Sequence, residues 1–117
     1  IWGGRFDHLY SNVFSLLHYK NQRGVQVVLA DEQEIMVLMQ QGESLLFKPA
    51  RPENIEALSL LPLADRNEVT LQGVQWNLEH SPLFLTHPYA VSNMIEQEKV
   101  IFTCDQGSVG FYLKYKI

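Results

Sequence analysis

The sequence predicts an α+β fold: an N-terminal helix followed by a mostly antiparallel curled sheet or a lipocalin-like small β-barrel. Three observations carry that expectation. Apolar residues recur at spacings of three and four in one stretch near the start, between Arg5 and Tyr19. Short apolar or alternating runs, punctuated by turn residues, fill most of the remaining chain. With 117 residues, of which 46% are hydrophobic, the chain has the apolar mass for one core, so residues 1–117 are expected to form a single domain.

The first element rests on Phe6, Leu9, Tyr10, Val13, Phe14 and Leu17, which share one face of an amphipathic helix. Lys20 and Arg23 suit the negative end of that helix, and Gly24 can take the left-handed conformation that stops it. Runs over 25–30, 35–39 and 45–48 then read as a three-stranded meander. Its middle strand is apolar on both faces, which calls for cover on both sides by a helix, a ligand or a partner chain. Pro52 opens a short helix through Glu53, Ile55, Glu56 and Leu58 that stops before Pro62. The second half returns to strands: 68–72, then Val74, Trp76 and Leu78 on one face with a bend at Gly73. A turn at His80-Ser81-Pro82 and a strand over 83–86 come next. The stretch 88–98 fits either a loop or a helical turn capped by Asn93. The last two strands alternate through Val100, Phe102 and Cys104, then Val109, Phe111, Leu113 and Tyr115, and read as a hairpin turning at Asp105-Gln106-Gly107.

Charge removes one class of function. Thirteen acidic against nine basic residues give a net charge of −4 with no Lys/Arg run, so no direct nucleic-acid binding is expected. No apolar stretch reaches the roughly 18 residues that a membrane helix needs. The opening Ile1-Trp2-Gly3-Gly4 fits a processed terminus or the point where a membrane helix has been left behind, since Trp favours the headgroup region. Cys104 is the one cysteine, a buried thiol or the half of a mixed disulfide with a partner. His8 and His18 fall on the polar edge of the helix. His80 and His87, with Glu79 nearby, lack the ligand spacing of a metal site, and no metal or cofactor is expected. The pairs Glu32/Glu34 and Glu96/Glu98 lie by turns, where carboxylates are solvated, and nucleophile or phosphate-loop motifs are missing, so no catalytic residue is assigned. The strand inventory of Met36, Met39, Phe47, Trp76, Phe84, Phe102, Phe111 and Tyr115 either fills a core or, in a closed barrel, lines a pocket for an apolar ligand.

Three stretches together resemble the ToxS-like periplasmic co-regulators, which include VtrC and accompany ToxR-type transmembrane transcription factors. Trp2-Gly3 with Phe6 and Leu9 is similar to the family's exit from its membrane helix. Gly73-Val74-Gln75-Trp76, with Leu78, Leu83, Leu85, Thr86 and Pro88, resembles its Gly-x-Trp hairpin ending in Thr-Pro, a pair that His87 interrupts here. Phe102-Thr103 and Gly107-Ser108 resemble its closing hairpin. The resemblance implies a non-enzymatic periplasmic subunit, anchored in the inner membrane by a helix absent from this chain. It also implies a heterodimer with the periplasmic domain of a ToxR-like regulator and a barrel that senses bile salts or a similar amphipathic ligand. Met36, Phe47, Trp76, Phe84, Phe102 and Phe111 would then form the pocket wall. The alternatives are a free lipocalin-like carrier, a small cone-shaped α+β enzyme with a pocket Asp or His, and an acid sensor acting through His80 and His87.

Overall fold

Helix α1 (Phe6–Arg23) ends where the sequence places its stop: Gly24 sits at φ 66° and donates its N–H to the Lys20 carbonyl at 2.8 Å. The computed structural model describes residues 5–86 and 93–116. Strands β1 (Val27–Ala30), β2 (Glu34–Gln40), β3 (Ser44–Phe47) and β4 (Ile55–Pro62) come after the helix, then β5 (Arg66–Gln72), β6 (Leu78–Phe84), β7 (Val100–Gln106) and β8 (Ser108–Tyr115). They form two four-stranded antiparallel sheets, ordered β1-β2-β8-β4 and β3-β7-β5-β6. The coarse α+β expectation of one helix and a curled antiparallel sheet holds. The lipocalin-like closed barrel is corrected to two separate sheets facing each other.

Side-chain alternation explains the layering. Leu58 and Leu60 from β4, Phe111 from β8, Val69 from β5 and Phe102 from β7 meet between the sheets in one buried cluster. The opposite face of the first sheet offers Leu29, Met36 and Leu38 to Val13 and Leu17 of α1, a second and smaller core. Both faces of β2 are therefore covered from within the chain, by α1 on one side and the second sheet on the other. The apolar faces of 35–39 need no partner strand.

Two pairings differ from the sequence expectation, for one shared reason. The chain crosses between sheets at corners where adjacent strands read like hairpins. β3 pairs with β7 and not with β2, so 25–48 is not a meander. β7 and β8 do not pair with each other; β8 lies between β2 and β4. The two corners are bonded together instead, Gln41 N–H to the Gly107 carbonyl at 3.0 Å and Gly42 N–H to the Cys104 carbonyl at 2.8 Å. Gly107 is required at its corner: at φ 86° a Cβ would press on the Asn67 side chain and the Arg66 carbonyl. Asn67 is fully buried there, donating to the Ala64 and Leu83 carbonyls at 3.0 Å each and accepting from Ser108 N–H at 2.8 Å.

Two local elements also differ. After Pro52 the helix is a single 3-10 turn, Pro52–Asn54, and 55–62 is strand β4 because its alternating apolar residues bury in the core. His80-Ser81-Pro82 is no turn but runs inside β6, the edge strand, where proline's missing N–H costs no ladder bond. Of the helical turn weighed for 88–98, residues 88–92 lie outside the described residues, and Asn93 and Ile95 form isolated bridges to Leu58 and Val74.

Candidate functional site

Gly73 ends β5 at φ 92°, where a side chain would collide with the Lys99 carbonyl, so the backbone turns there as only glycine allows. The loop 73–77 beyond it is tied at almost every residue. Glu96 N–H donates to the Gly73 carbonyl at 3.0 Å and Gln75 N–H to the Met94 carbonyl at 2.8 Å. The Asn77 side chain accepts from Val74 N–H at 3.2 Å. Asn93, only 5% exposed, completes the clamp. Its Oδ1 accepts from Trp76 N–H at 3.1 Å and Met94 N–H at 2.9 Å, and its Nδ2 donates to the Trp76 carbonyl at 2.9 Å. Asn93 is itself paired with Leu58 of β4 in both directions, at 2.7 and 3.1 Å. The loop is thereby fastened to the first sheet.

This clamp fixes the backbone of Trp76 while its indole stays 59% exposed. A large apolar ring held out in water on a rigid loop loses the burial that normally stabilises a tryptophan, and it offers a flat, electron-rich face for a planar or cationic ring. Met94, bonded to Gln75 through its main chain, also walls an open hollow of about 660 Å³ that runs along β4 and β8 past Ser59, Leu61 and Tyr112. The Tyr112 hydroxyl donates to Glu34 Oε1 at 2.8 Å, and burial, then that carboxylate, push its ionisation above the usual tyrosine range.

Of the six residues expected to line a pocket, three come together in the core between the sheets and three lie elsewhere. Phe102 and Phe111 stack in the core with centroids 5.5 Å apart, and Phe47 lies edge-on to Phe111 at 6.5 Å. Met36 belongs to the separate core under α1. Phe84 is at the surface beneath the Arg66 guanidinium, 5.9 Å away, and Trp76 stands on its loop. Asn93, which reads from the sequence as a helix cap, is the residue that builds the loop; its side-chain contacts reach 17 residues back, beyond any local motif.

Cys104 is fully buried, its thiol directed at the Gln106 and Gly107 carbonyls. Burial first, then the nearby Asp105 and Glu43 charges, push it up to about 12 from an ordinary 9.0. The native protein is therefore expected to resist thiol-modifying reagents that label it promptly once unfolded. Above pH 9.0 the unfolded thiol loses its proton before the folded one does. Stability should thus fall as pH rises from 9.0 toward 12, a trend that denaturant melts at several alkaline pH values would show.

Residues 47–109 match the profile of the family described as "Thiamin pyrophosphokinase, vitamin B1 binding domain". Thiamine pyrophosphokinase 1 of Oryza sativa subsp. japonica is 27% identical over 104 residues, covering 88% of this chain and 38% of that protein. The thiamin pyrophosphokinase of Bacillus subtilis superposes with a TM-score of 0.84 at 22% identity, over 98% of this chain and 53% of that one. That of Candida albicans gives 0.81 at 18% identity, over 97% and 41%. The chain thus spans about two-fifths of its curated relatives and about half of the Bacillus subtilis structure.

These matches overturn the ToxS/VtrC-like resemblance and what hung on it: the periplasmic, membrane-anchored placement, the ToxR-like partner and the bile-salt ligand. No described helix is long and apolar enough to cross a membrane. The expectation of a non-enzymatic subunit is corrected too, because the relatives are pyrophosphokinases. The glycine–tryptophan stretch lies inside the matched segment and belongs to a different family from the one it resembles.

Proposed function

The chain belongs to the family of the thiamin pyrophosphokinase vitamin B1 binding domain, and from that premise we propose that it binds thiamin on the Trp76 loop as part of a thiamin pyrophosphokinase. The observation that carries the proposal is an indole exposed on a backbone that buried Asn93 holds rigid. Thiamin joins a flat aminopyrimidine to a permanently cationic thiazolium. Both rings suit a tryptophan face, the first by stacking and the second by cation–π attraction, which desolvation strengthens. A rigid loop also loses little conformational freedom on binding. Residues 1–117 act in this proposal as one domain, which holds the vitamin for the pyrophosphokinase.

Calorimetric titration with thiamin tests the proposal. One saturable site per chain is expected, and Asn93→Ala, which frees the loop, should weaken it about tenfold, the worth of one well-made buried hydrogen bond. Circular dichroism on the same sample checks that the variant is folded. No saturable heat with the wild-type chain, or full affinity in folded Asn93→Ala, would refute the role given to the loop.

A further inference from the structure

On the outer face of the β3-β7-β5-β6 sheet, away from the core, Glu68 of β5, His80 of β6 and Asp105 of β7 each bring one donor atom within 4.8 Å of the other two. His80 Nδ1 lies 3.3 Å from Asp105 Oδ2 and 3.5 Å from Glu68 Oε1. Regular pairing would not aim these three side chains at one point. The β5–β7 ladder shifts register between Glu68 and Val69, and the β5–β6 ladder between Val69 and Leu71. Such irregularities re-aim side chains. His80 itself sits at φ 45°, the one positive φ outside glycine among the described residues. That conformation costs energy for a histidine and turns its ring toward the two carboxylates. Thr70 completes the arrangement: its hydroxyl donates to Asp105 Oδ2 at 2.8 Å and accepts the His80 N–H at 3.1 Å, so one side chain orients two of the three donors.

We infer that Glu68, His80 and Asp105 form a site for one divalent transition-metal ion of the zinc type. One imidazole nitrogen with two carboxylate oxygens suits borderline cations such as Zn²⁺, whereas Mg²⁺ and Ca²⁺ favour all-oxygen sets. Two carboxylates balance the ion's charge, and three protein ligands leave a position for water, as in open zinc sites. Thr70 plays the orienting part that outer hydrogen bonds play around metal ligands. The competing account is an ion pair between protonated His80 and the two carboxylates, which would bind no metal. A bound ion would fasten edge strand β6 to its sheet, and β6 is the strand that leaves the Trp76 loop. The inference does not depend on thiamin binding.

The test is calorimetric titration of the metal-free chain with ZnCl₂, repeated on His80→Asn and Asp105→Asn. Asparagine tolerates a positive φ, so His80→Asn keeps the backbone while removing the imidazole. The expected result is one saturable site per chain whose affinity falls about tenfold or more in each variant, with circular dichroism unchanged. Co²⁺ titration of the wild-type chain should give a saturable visible absorption band that His80→Asn removes. No saturable site in the wild-type chain, or equal affinity in wild type and His80→Asn, would overturn the inference. The second outcome would mean ions scattered over other surface groups.

Discussion

Trp76→Ala is expected to lower the affinity for thiamin about 30-fold, the equivalent of about 2 kcal/mol for a desolvated cation–π and stacking contact. Its effect on folding should be slight. The indole is mostly in water, and the loop is held by main-chain bonds and by Asn93, none of which involves the ring. Surface substitutions of this kind usually change stability by about 0.5 kcal/mol or less. Trp76→Phe should recover part of the affinity, since a smaller ring keeps a π-face with a weaker quadrupole. Calorimetry and a thermal melt on the same preparations separate the two effects. A variant that loses binding only in proportion to a loss of folded protein would contradict the role given to the indole.

The largest stability effect is expected far from that loop, at Glu43→Ala. Lys20 is 1% exposed, and its ammonium donates to Glu43 Oε2 and to the Val25 carbonyl, each at 3.0 Å. Removing the carboxylate leaves a buried cation with one neutral acceptor, which in fully buried pairs costs roughly 3–5 kcal/mol. Glu43 is about a third exposed, so solvent screening reduces this, and about 2 kcal/mol is expected. The same substitution also loses the bond from Gln40 N–H to Glu43 Oε1 at 2.7 Å, which shapes the corner between β2 and β3. By contrast Asp7→Ala, which breaks the solvated pair with Arg5, should cost about 0.5 kcal/mol or less. Urea melts of the two variants provide the comparison. Equal midpoints would show that the buried lysine is not held by its carboxylate.

Local signals in the sequence translate well where the cause is local. The spacing of Val13 and Leu17, with Gly24 as the stop, comes from helix geometry and needs no tertiary context. Strand periodicity is equally legible at β5, β7 and β8. Pairing is not. Alternation says which face a residue occupies and is silent on which sheet the next strand joins, so Gly107 reads as a hairpin turn although it is a corner. Lys20 illustrates the same limit: it is legible as a helix-terminal cation, but its ion pair with Glu43 is 23 residues away.

The candidate sites show this more sharply. Trp76 reads as an aromatic on the pocket wall of a barrel, because period-two spacing with Val74 and Leu78 suggests a strand; the bonds from Asn93 and Met94 that make it a loop are long-range. Glu68, His80 and Asp105 come from three strands, and no spacing along the chain connects them. His80 stands out in the sequence beside Glu79 and His87, but its carboxylate partners in the fold are different residues, and His87 lies outside the described ones.

Thiamin resting on Trp76 should register in the emission of that indole. The chain has two tryptophans, so the measurement belongs in a Trp2→Phe background, where Trp76 is the sole tryptophan. Adding thiamin should quench and shift this emission along a saturable curve with the same midpoint as calorimetry. Saturable calorimetric binding with unchanged Trp76 emission would contradict the claim and move the vitamin elsewhere on the domain.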